Sequence, residues 1–522
     1  MANISNMKRI SSFFALFALL LLTVQCTLLE PPAEEPYYGN GIMTVKFIQI
    51  NDVYEIAPLG GGKYGGMARV AYVVDSIRDR YPNTYLFMAG DFLNPSLLGS
   101  MKLDGEPIKG KQMVEVMNAM DFDLVTFGNH EFDLSEEELQ QRLNESTFPW
   151  ISSNVRHVVG DEVKPFETKL SYGTEPISDY KILTAKDKLG NEIRLGFFAL
   201  TLDDNQKEYV DYGIVYKEAQ RVYDVLQPQT DFIIGLTHLS IDQDRRVAQV
   251  LPDVPLIMGG HEHYSMLERE NNTVIAKADA NAKSLYIHSL NYNLRTQVLH
   301  VNSKIMYLDE KVPLEPSVTR IVNRWNTVLE TKMNEIGANP DDVIYTPPTP
   351  LDGTDNANRS IQTNLGGIIT ASMSYAWDHD VDAAIVNGGS FRVDDMLQGP
   401  LTPTDVYRVL PFGGDIKKVA IRGELLKRVL DYGKSQRGNG AYLQRHNIGQ
   451  DETGAWTISG KRISDRRTYQ IAMSDFLLKG YDIPFLTNTA DGVKNVTDPK
   501  EESEASDIRK AVIAYLSLLA KE

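Results

Sequence analysis

Cysteine is all but missing from this chain: Cys26 is the only one in 522 residues. No disulfide can close within the molecule, so stability must come from an apolar core. Positive charge is also short, with 53 Lys and Arg against 70 Asp and Glu and a formal net charge of −17. Binding a nucleic-acid polymer needs a broad basic surface, which this composition excludes as a partner. A small phosphorylated ligand needs only a few local cations or metal ions. No Gly-x-Ser-x-Gly elbow stands out and the one thiol lies near the N-terminus, so covalent catalysis has no candidate nucleophile. His130-Glu131 is followed by Leu134 where a zinc-protease helix needs its second histidine. There is no repeat and no low-complexity segment.

What is present is globular in composition, 42% hydrophobic and 24% charged. At 58.6 kDa the chain exceeds one ordinary core, so two or more domains are expected. The N-terminus stands apart. Lys8-Arg9 precedes an apolar stretch over residues 13–24, the length of a signal-peptide core and short for a membrane span. Residues 1–26 are read as an export signal, which implies a periplasmic or cell-surface protein. Leu22-Thr23-Val24-Gln25-Cys26 resembles a bacterial lipoprotein cleavage site, with Gln25 where a small residue is usual. The alternative is a cysteine discarded with the leader, and a lipidated Cys26 is the one expected route to membrane attachment. Residues 27–43, with Glu30-Pro31-Pro32-Ala33-Glu34-Glu35-Pro36, read as a solvated tether.

Five polar segments, each closing a strand-like apolar run, carry the chemistry. They are Ile50-Asn51-Asp52, Ala89-Gly90-Asp91, Gly128-Asn129-His130-Glu131-Phe132-Asp133, Leu236-Thr237-His238 and Gly259-Gly260-His261-Glu262-His263. Open sheets bind ligands beyond the carboxyl ends of their strands, so these tips are expected to converge. Asp52 and Asp91 supply anionic oxygens, and one carboxylate can bridge two cations. Asn129 offers an amide oxygen, and His238, His261 and His263 offer neutral nitrogens, a set suited to divalent metals of intermediate hardness. In an extended segment His261 and His263 would point the same way. Four of the nine histidines fall in these segments, directly after strands.

Strand-like and helical runs alternate from residue 44 to 311, with helical patterns over 67–81, 111–120, 135–144 and 217–226, which implies a layered α/β domain. Over 312–341, Val318, Ile321, Val322, Trp325, Val328 and Leu329 recur at helical spacing and predict a linker helix. A second, α+β domain is expected over 342–522. In it, Asn387-Gly388-Gly389-Ser390-Phe391-Arg392 follows a strand, so that backbone amides and Arg392 could approach an anion. By itself such a string is more often a turn.

The five segments in this order resemble the calcineurin-like dinuclear metallophosphoesterases, of which residues 128–133 are the most specific block. The wider chain is similar to the bacterial 5′-nucleotidase/UDP-sugar hydrolase family, whose two domains are joined by a helix. That resemblance implies a layered α/β metallophosphoesterase sandwich, a substrate-binding α+β domain and two divalent ions (Mn, Zn, Ca or Fe). It implies that Asp52 and His263 ligate one metal, that Asp91 bridges, and that Asn129, His238 and His261 hold the other. His130 matches the catalytic histidine and Asp133 the acid that orients it. In the second domain it implies that Arg359, Asn387 and Arg392 hold the phosphate side or base edge. Phe476 and Tyr442 would stack the base, and Asp482 would bind the ribose.

Three positions depart from the family. Tyr54 stands where the first segment usually has a histidine ligand; a trivalent iron, a weakly held metal, or Glu55 or water would each accommodate it. Arg445 stands where some relatives carry phenylalanine, and Tyr481 replaces a glycine. The implied activity is removal of phosphate from nucleoside 5′-monophosphates, by attack of a metal-activated hydroxide. The alternatives are a 2′,3′-cyclic nucleotide phosphodiesterase/3′-nucleotidase or UDP-sugar hydrolase on the same fold and, more distantly, a catalytically weak surface nucleotide binder.

Overall fold

A computed structural model describes residues 41–170, 173–334, 339 and 342–521. The expected leader, Cys26 and most of the tether lie outside the described residues. The first half is built on two six-stranded sheets packed face to face. One runs in the order Val298–Tyr307, Ser284–Asn293, Ile42–Ile50, Thr84–Ala89, Leu124–Thr126, Trp150–Ile151. The other runs Tyr180–Lys186, Glu192–Thr201, Phe232–His238, Leu256–Gly259, Thr273–Lys277, Met266–Glu270.

The central strands are parallel to one another within each sheet. Their side chains alternate between two buried faces, which is why they read as unbroken apolar runs. Phe47, Phe87 and Phe197 meet between the sheets with ring centroids 4.9–5.7 Å apart. On the outer face, Ile48 and Ile50 pack against the helices Met67–Arg78 and Lys111–Asn118. Phe198 and Leu200 of the second sheet pack against Val215–Leu226 and Ile241–Val250. The result is the expected layered α/β sandwich.

A polar bolt joins the two sheets. Gln49 Nε2 donates to the carbonyls of Gly259 (2.9 Å) and Ala276 (2.8 Å), while its Oε1 faces His288 Nε2 at 2.9 Å. The helix Pro316–Asn334 lays Val318, Val322 and Trp325 onto the first helical layer, and Trp325 Nε1 donates to Glu115 Oε2 at 2.9 Å.

The second half centres on a mixed sheet, in the order Leu443–His446, Ala383–Asn387, Thr468–Ser474, Ile416–Arg422, Val493–Thr497. Asn364–Tyr375 and Ile508–Leu519 cover one face and Gly423–Ser435 the other. The two halves touch through ion pairs. Lys283 meets Asp395, and Arg408 Nε lies 3.7 Å from Glu55 Oε1. A small apolar contact of Leu97, Met333 and Tyr407 spans both halves and the connecting helix.

Candidate metal centre and active site

The polar segments stand just past the parallel strand ends, and their backbone is bent to turn side chains inward. Asp52 (φ 53°), Asp91 (φ 55°) and His261 (φ 85°) all hold left-handed conformations. Non-glycine residues adopt these only where surrounding structure enforces them, which is common at functional sites. At Gly128 a side chain is impossible, because a Cβ would sit 2.1 Å from Asp91 Oδ1.

The segments converge. One ligand atom each from Asp52, Asp91 and His238 falls within 4.8 Å of the others. Asp91 Oδ2 lies 3.1 Å from His238 Nε2, and Asp52 Oδ1 lies 3.3 Å from His263 Nε2. The His261 ring is 5.5 Å from that of His238, and its backbone N–H donates to Asp52 Oδ2 at 3.0 Å. The left-handed turn at His261 overturns the expectation of an extended segment: His261 faces His238, while His263 faces Asp52 and Tyr54.

The donor set fits a metal. Among the described residues Asn129 Oδ1 is buried without a hydrogen-bond partner, and Asp52 Oδ1 and His238 Nε2 meet only other members of the cluster. Buried polar atoms are rarely left so, and a cation bonded to them accounts for all three. His238 Nδ1 donates to the Ala89 carbonyl at 2.7 Å, which leaves the Nε2 lone pair for a metal. Burial favours the neutral ring, but the Asp91 and Asp52 carboxylates raise the His238 pKa to about 9 in the metal-free protein, so a cation entering here displaces a proton.

Beside this cluster His130 Nδ1 pairs with Asp133 Oδ2 at 2.8 Å, and its backbone N–H donates to Asp91 Oδ1 at 2.8 Å. Burial opposes its charge, yet Asp91 and Asp133 push its pKa up to about 10. Asp133 is drawn down to about 2 despite burial, chiefly by its hydrogen bond to His130. It also accepts from Asn94 (3.0 Å) and Asn205 (3.0 Å).

Two residues without an assigned role in the sequence reading matter here. Glu131 is fully buried and accepts four backbone N–H bonds, from Asp91 (2.9 Å), Phe92 (2.7 Å), Leu93 (3.0 Å) and Gly128 (2.6 Å). It shapes both loops that carry the cluster. Asn205 donates to the Asn129 carbonyl at 2.9 Å as well as to Asp133. It follows the strand Glu192–Thr201 in Leu202-Asp203-Asp204-Asn205, a sixth polar strand end that the same pattern would have found.

Tyr54 is buried, with its hydroxyl 3.2 Å from Asp91 Oδ2 and 3.1 Å from His263 Nε2. Burial first, then the Asp91 and Asp52 charges, push its pKa well above the ordinary phenol value. Glu55 does not complete this shell. It turns away to accept from the Leu97 N–H at 3.0 Å and to face Arg408. The second half instead reaches in: His263 Nδ1 donates to the Asp394 carbonyl, and Asp394 Oδ2 lies 3.6 Å from His263 Nε2.

Arg359 and Arg392 line the same cavity as Asn129, His130, Asp133, His261 and His263, a space of about 1480 Å³ between the halves. Arg392 stands 4.0 Å from Asp133, and Arg359 is held by Asp355 at 2.7 Å. Asn387 donates to Asp482 Oδ2 at 2.8 Å, and Phe476 lies 5.9 Å from the Tyr481 ring. Asn387, Asp482, Phe476 and Tyr481, with Tyr442, are not among the residues lining that cavity. Tyr442 is corrected as a stacking platform: it is only 7% exposed, and its hydroxyl accepts from Gln362 at 3.2 Å. The open aromatic face belongs to Phe412, 70% exposed, with the Arg392 guanidinium 5.8 Å over its ring. Arg445 rests on Trp456 at 5.0 Å.

A two-sheet sandwich with Asp, Asn and His gathered at its parallel strand tips defines a calcineurin-like phosphoesterase, a phosphoric ester hydrolase. Family models described as "Calcineurin-like phosphoesterase" and "5'-nucleotidase, C-terminal domain" match residues 45–265 and 343–488. The chain is 26% identical to 5′-nucleotidase of Bos taurus over 424 residues, 73% of this chain and 68% of that protein. It is 25% identical over 411 residues to a trifunctional nucleotide phosphoesterase protein of Bacillus subtilis, 72% of this chain and 27% of that one. The crystal structure of a 5′-nucleotidase precursor from Thermus thermophilus shares the fold, with a TM-score of 0.64 and 21% identity over 92% of this chain and 97% of that chain. The chain belongs to the 5′-nucleotidase family, a calcineurin-like domain followed by a 5′-nucleotidase C-terminal domain.

Proposed function

We propose that this protein is an exported, metal-dependent phosphohydrolase that releases phosphate from nucleoside 5′-monophosphates. Chemistry would reside in residues 44–311 and substrate recognition in 342–522, joined through 312–341. The carrying observation is the shared cavity, in which two arginines of the second half face the His130 and histidine cluster of the first. The names of the bovine and Bacillus relatives support a nucleotide as the ligand, and the leader-like N-terminus supports export.

Asp52, Asp91, Asn129, His238, His261 and His263 would hold the metal ions, taken as two. When bound, divalent cations lower the pKa of water and neutralise phosphoryl charge. The residues around them do the rest. Arg392 and Arg359 draw the phosphate side in and orient it. His130, kept protonated by Asp91 and Asp133, stabilises charge on the transferring phosphoryl group or protonates the leaving oxygen. Phe412 and Phe476, on loops joined by the Asp475 N–H bond to the Asp415 carbonyl (2.9 Å), would sandwich the base. Asp482, oriented by Asn387, would accept from the sugar hydroxyls.

One observation favours a second reading. The cavity exceeds the ~300–1,000 Å³ usual for small-ligand pockets, which suits a nucleotide sugar as well as a monophosphate. Product analysis of AMP, UMP, UDP-glucose, 2′,3′-cyclic AMP and a sugar phosphate, each with Mn²⁺ or EDTA, separates the two: a monophosphate yields inorganic phosphate, and UDP-glucose yields UMP and glucose 1-phosphate. Preference for AMP or UMP supports the first reading and preference for UDP-glucose the second. Activity that survives both EDTA and Asn129→Ala overturns the site itself.

A further inference from the structure

Behind the histidine cluster lies a charged group that the proposed chemistry does not use. Lys277 ends the strand Thr273–Lys277 and is fully buried. Its Nζ donates to the Leu239 carbonyl at 2.6 Å, lies 2.9 Å from Asp244 Oδ2, and donates to Glu262 Oε2. Asp244 is also fully buried, and its Oδ1 accepts from Thr237 Oγ1 at 2.7 Å. Glu262 Oε1 accepts from the Ile241 N–H at 2.6 Å. One ammonium thus gathers the residues on both sides of His238, the start of the helix Ile241–Val250, and the single residue between His261 and His263.

Stability alone does not explain such a group. Removing a cation and its carboxylates from water is expensive, and apolar side chains of equal volume often serve a core as well or better. What the ionic group adds is direction. Each oxygen has one place to be, and an apolar contact between the two loops would permit sliding or rotation. Gly259 lets the lysine pass, since a Cβ there would lie 2.9 Å from Lys277 Cε.

We propose that Lys277, with Glu262 and Asp244, is a positioning knot that sets the orientation of His238 relative to His261 and His263. Lys277 and Asp244 are fully buried behind the cavity and Glu262 stands at its edge; the knot acts through the histidines. The inference rests on the metal-centre reading above, and its test reads metal binding directly.

The experiment is calorimetric Mn²⁺ titration of the full-length chain and of Glu262→Gln, with melting of both metal-free proteins. Glutamine keeps an oxygen for the Ile241 N–H but ends the ion pair with Lys277. The knot predicts Mn²⁺ affinity lower by roughly 10–100-fold, the usual effect of losing an outer partner of a metal ligand. It also predicts that excess Mn²⁺ restores kcat for AMP with KM unchanged. Lys277→Met should show the same loss with a lower melting temperature; if it does not fold, Glu262→Gln decides alone. Wild-type Mn²⁺ affinity in Glu262→Gln, whatever its melting temperature, overturns the knot. A parent chain that takes up no Mn²⁺ overturns the metal reading, and the knot with it.

Discussion

At the scale of single residues, position and protonation separate holding a metal from moving a proton. His130 reaches the cluster through its backbone and Asp133 through its ring, so His130→Asn should lower kcat by about 10²–10⁴-fold while Mn²⁺ uptake stays near that of the parent. Phosphate release and calorimetry on one preparation check both halves of that statement. Glu131 behaves differently. Its two oxygens each serve two backbone donors, and glutamine would turn an NH₂ toward one pair. Two stranded donors at ~1–3 kcal/mol each predict that Glu131→Gln lowers unfolding free energy by about 2–6 kcal/mol, measurable by urea titration. The sequence showed where polar residues interrupt apolar runs, which is why Asp52, Asp91, Asn129 and the histidines were legible. Glu131 was not given a role because its partners are backbone groups, which carry no letter, whereas Asn205 follows a polar strand end of the same kind as the others. The burial of Tyr442 and the exposure of Phe412 were not legible for a related reason: a ring's burial is decided by distant packing.

At the scale of elements, the strand cores and the helix Pro316–Asn334 follow from periodicity and from proline at its first turn. Short antiparallel strands such as Gly173–Pro176, exposed throughout and weakly apolar, left no comparable mark. The polar bolt between the sheets was invisible for the same reason, yet it has a measurable consequence. Gln49 Oε1 faces His288 Nε2, so that nitrogen carries the hydrogen and Nδ1 accepts from Ser303 Oγ at 2.7 Å. Burial lowers the His288 pKa from 6.5 to about 3. With the folded value below the unfolded one, the unfolded chain binds the extra proton first as pH falls. The contribution is complete above pH ~6.5 and disappears between there and pH ~3, at most about 5 kcal/mol. Urea midpoints of His288→Gln should therefore decline less than those of the parent across that interval.

At the scale of the whole molecule, the two halves are coupled by charge as well as by chain. Arg408 sits between Asp405, at 3.0 Å, and Glu55 of the first half, all three largely buried. Arg408→Ala would leave two carboxylates enclosed without their cation and should destabilise the protein by about 3–5 kcal/mol, a loss that chemical denaturation would report. The layered architecture and the order of the two halves were legible from alternation and composition. Their mutual approach was not, because Lys283–Asp395, Arg392–Asp133 and His263–Asp394 join residues more than a hundred positions apart.

The last of these contacts makes the first half less self-sufficient than its proposed metal ligands suggest. One imidazole takes its bearing from a peptide oxygen that belongs to the second half. Severed at the connecting helix, the front half would retain every coordinating side chain while losing the strut that aims His263. Its hold on that ion would then depend on whether the back half is docked, so that readiness for chemistry and capture of the nucleotide would rise and fall together.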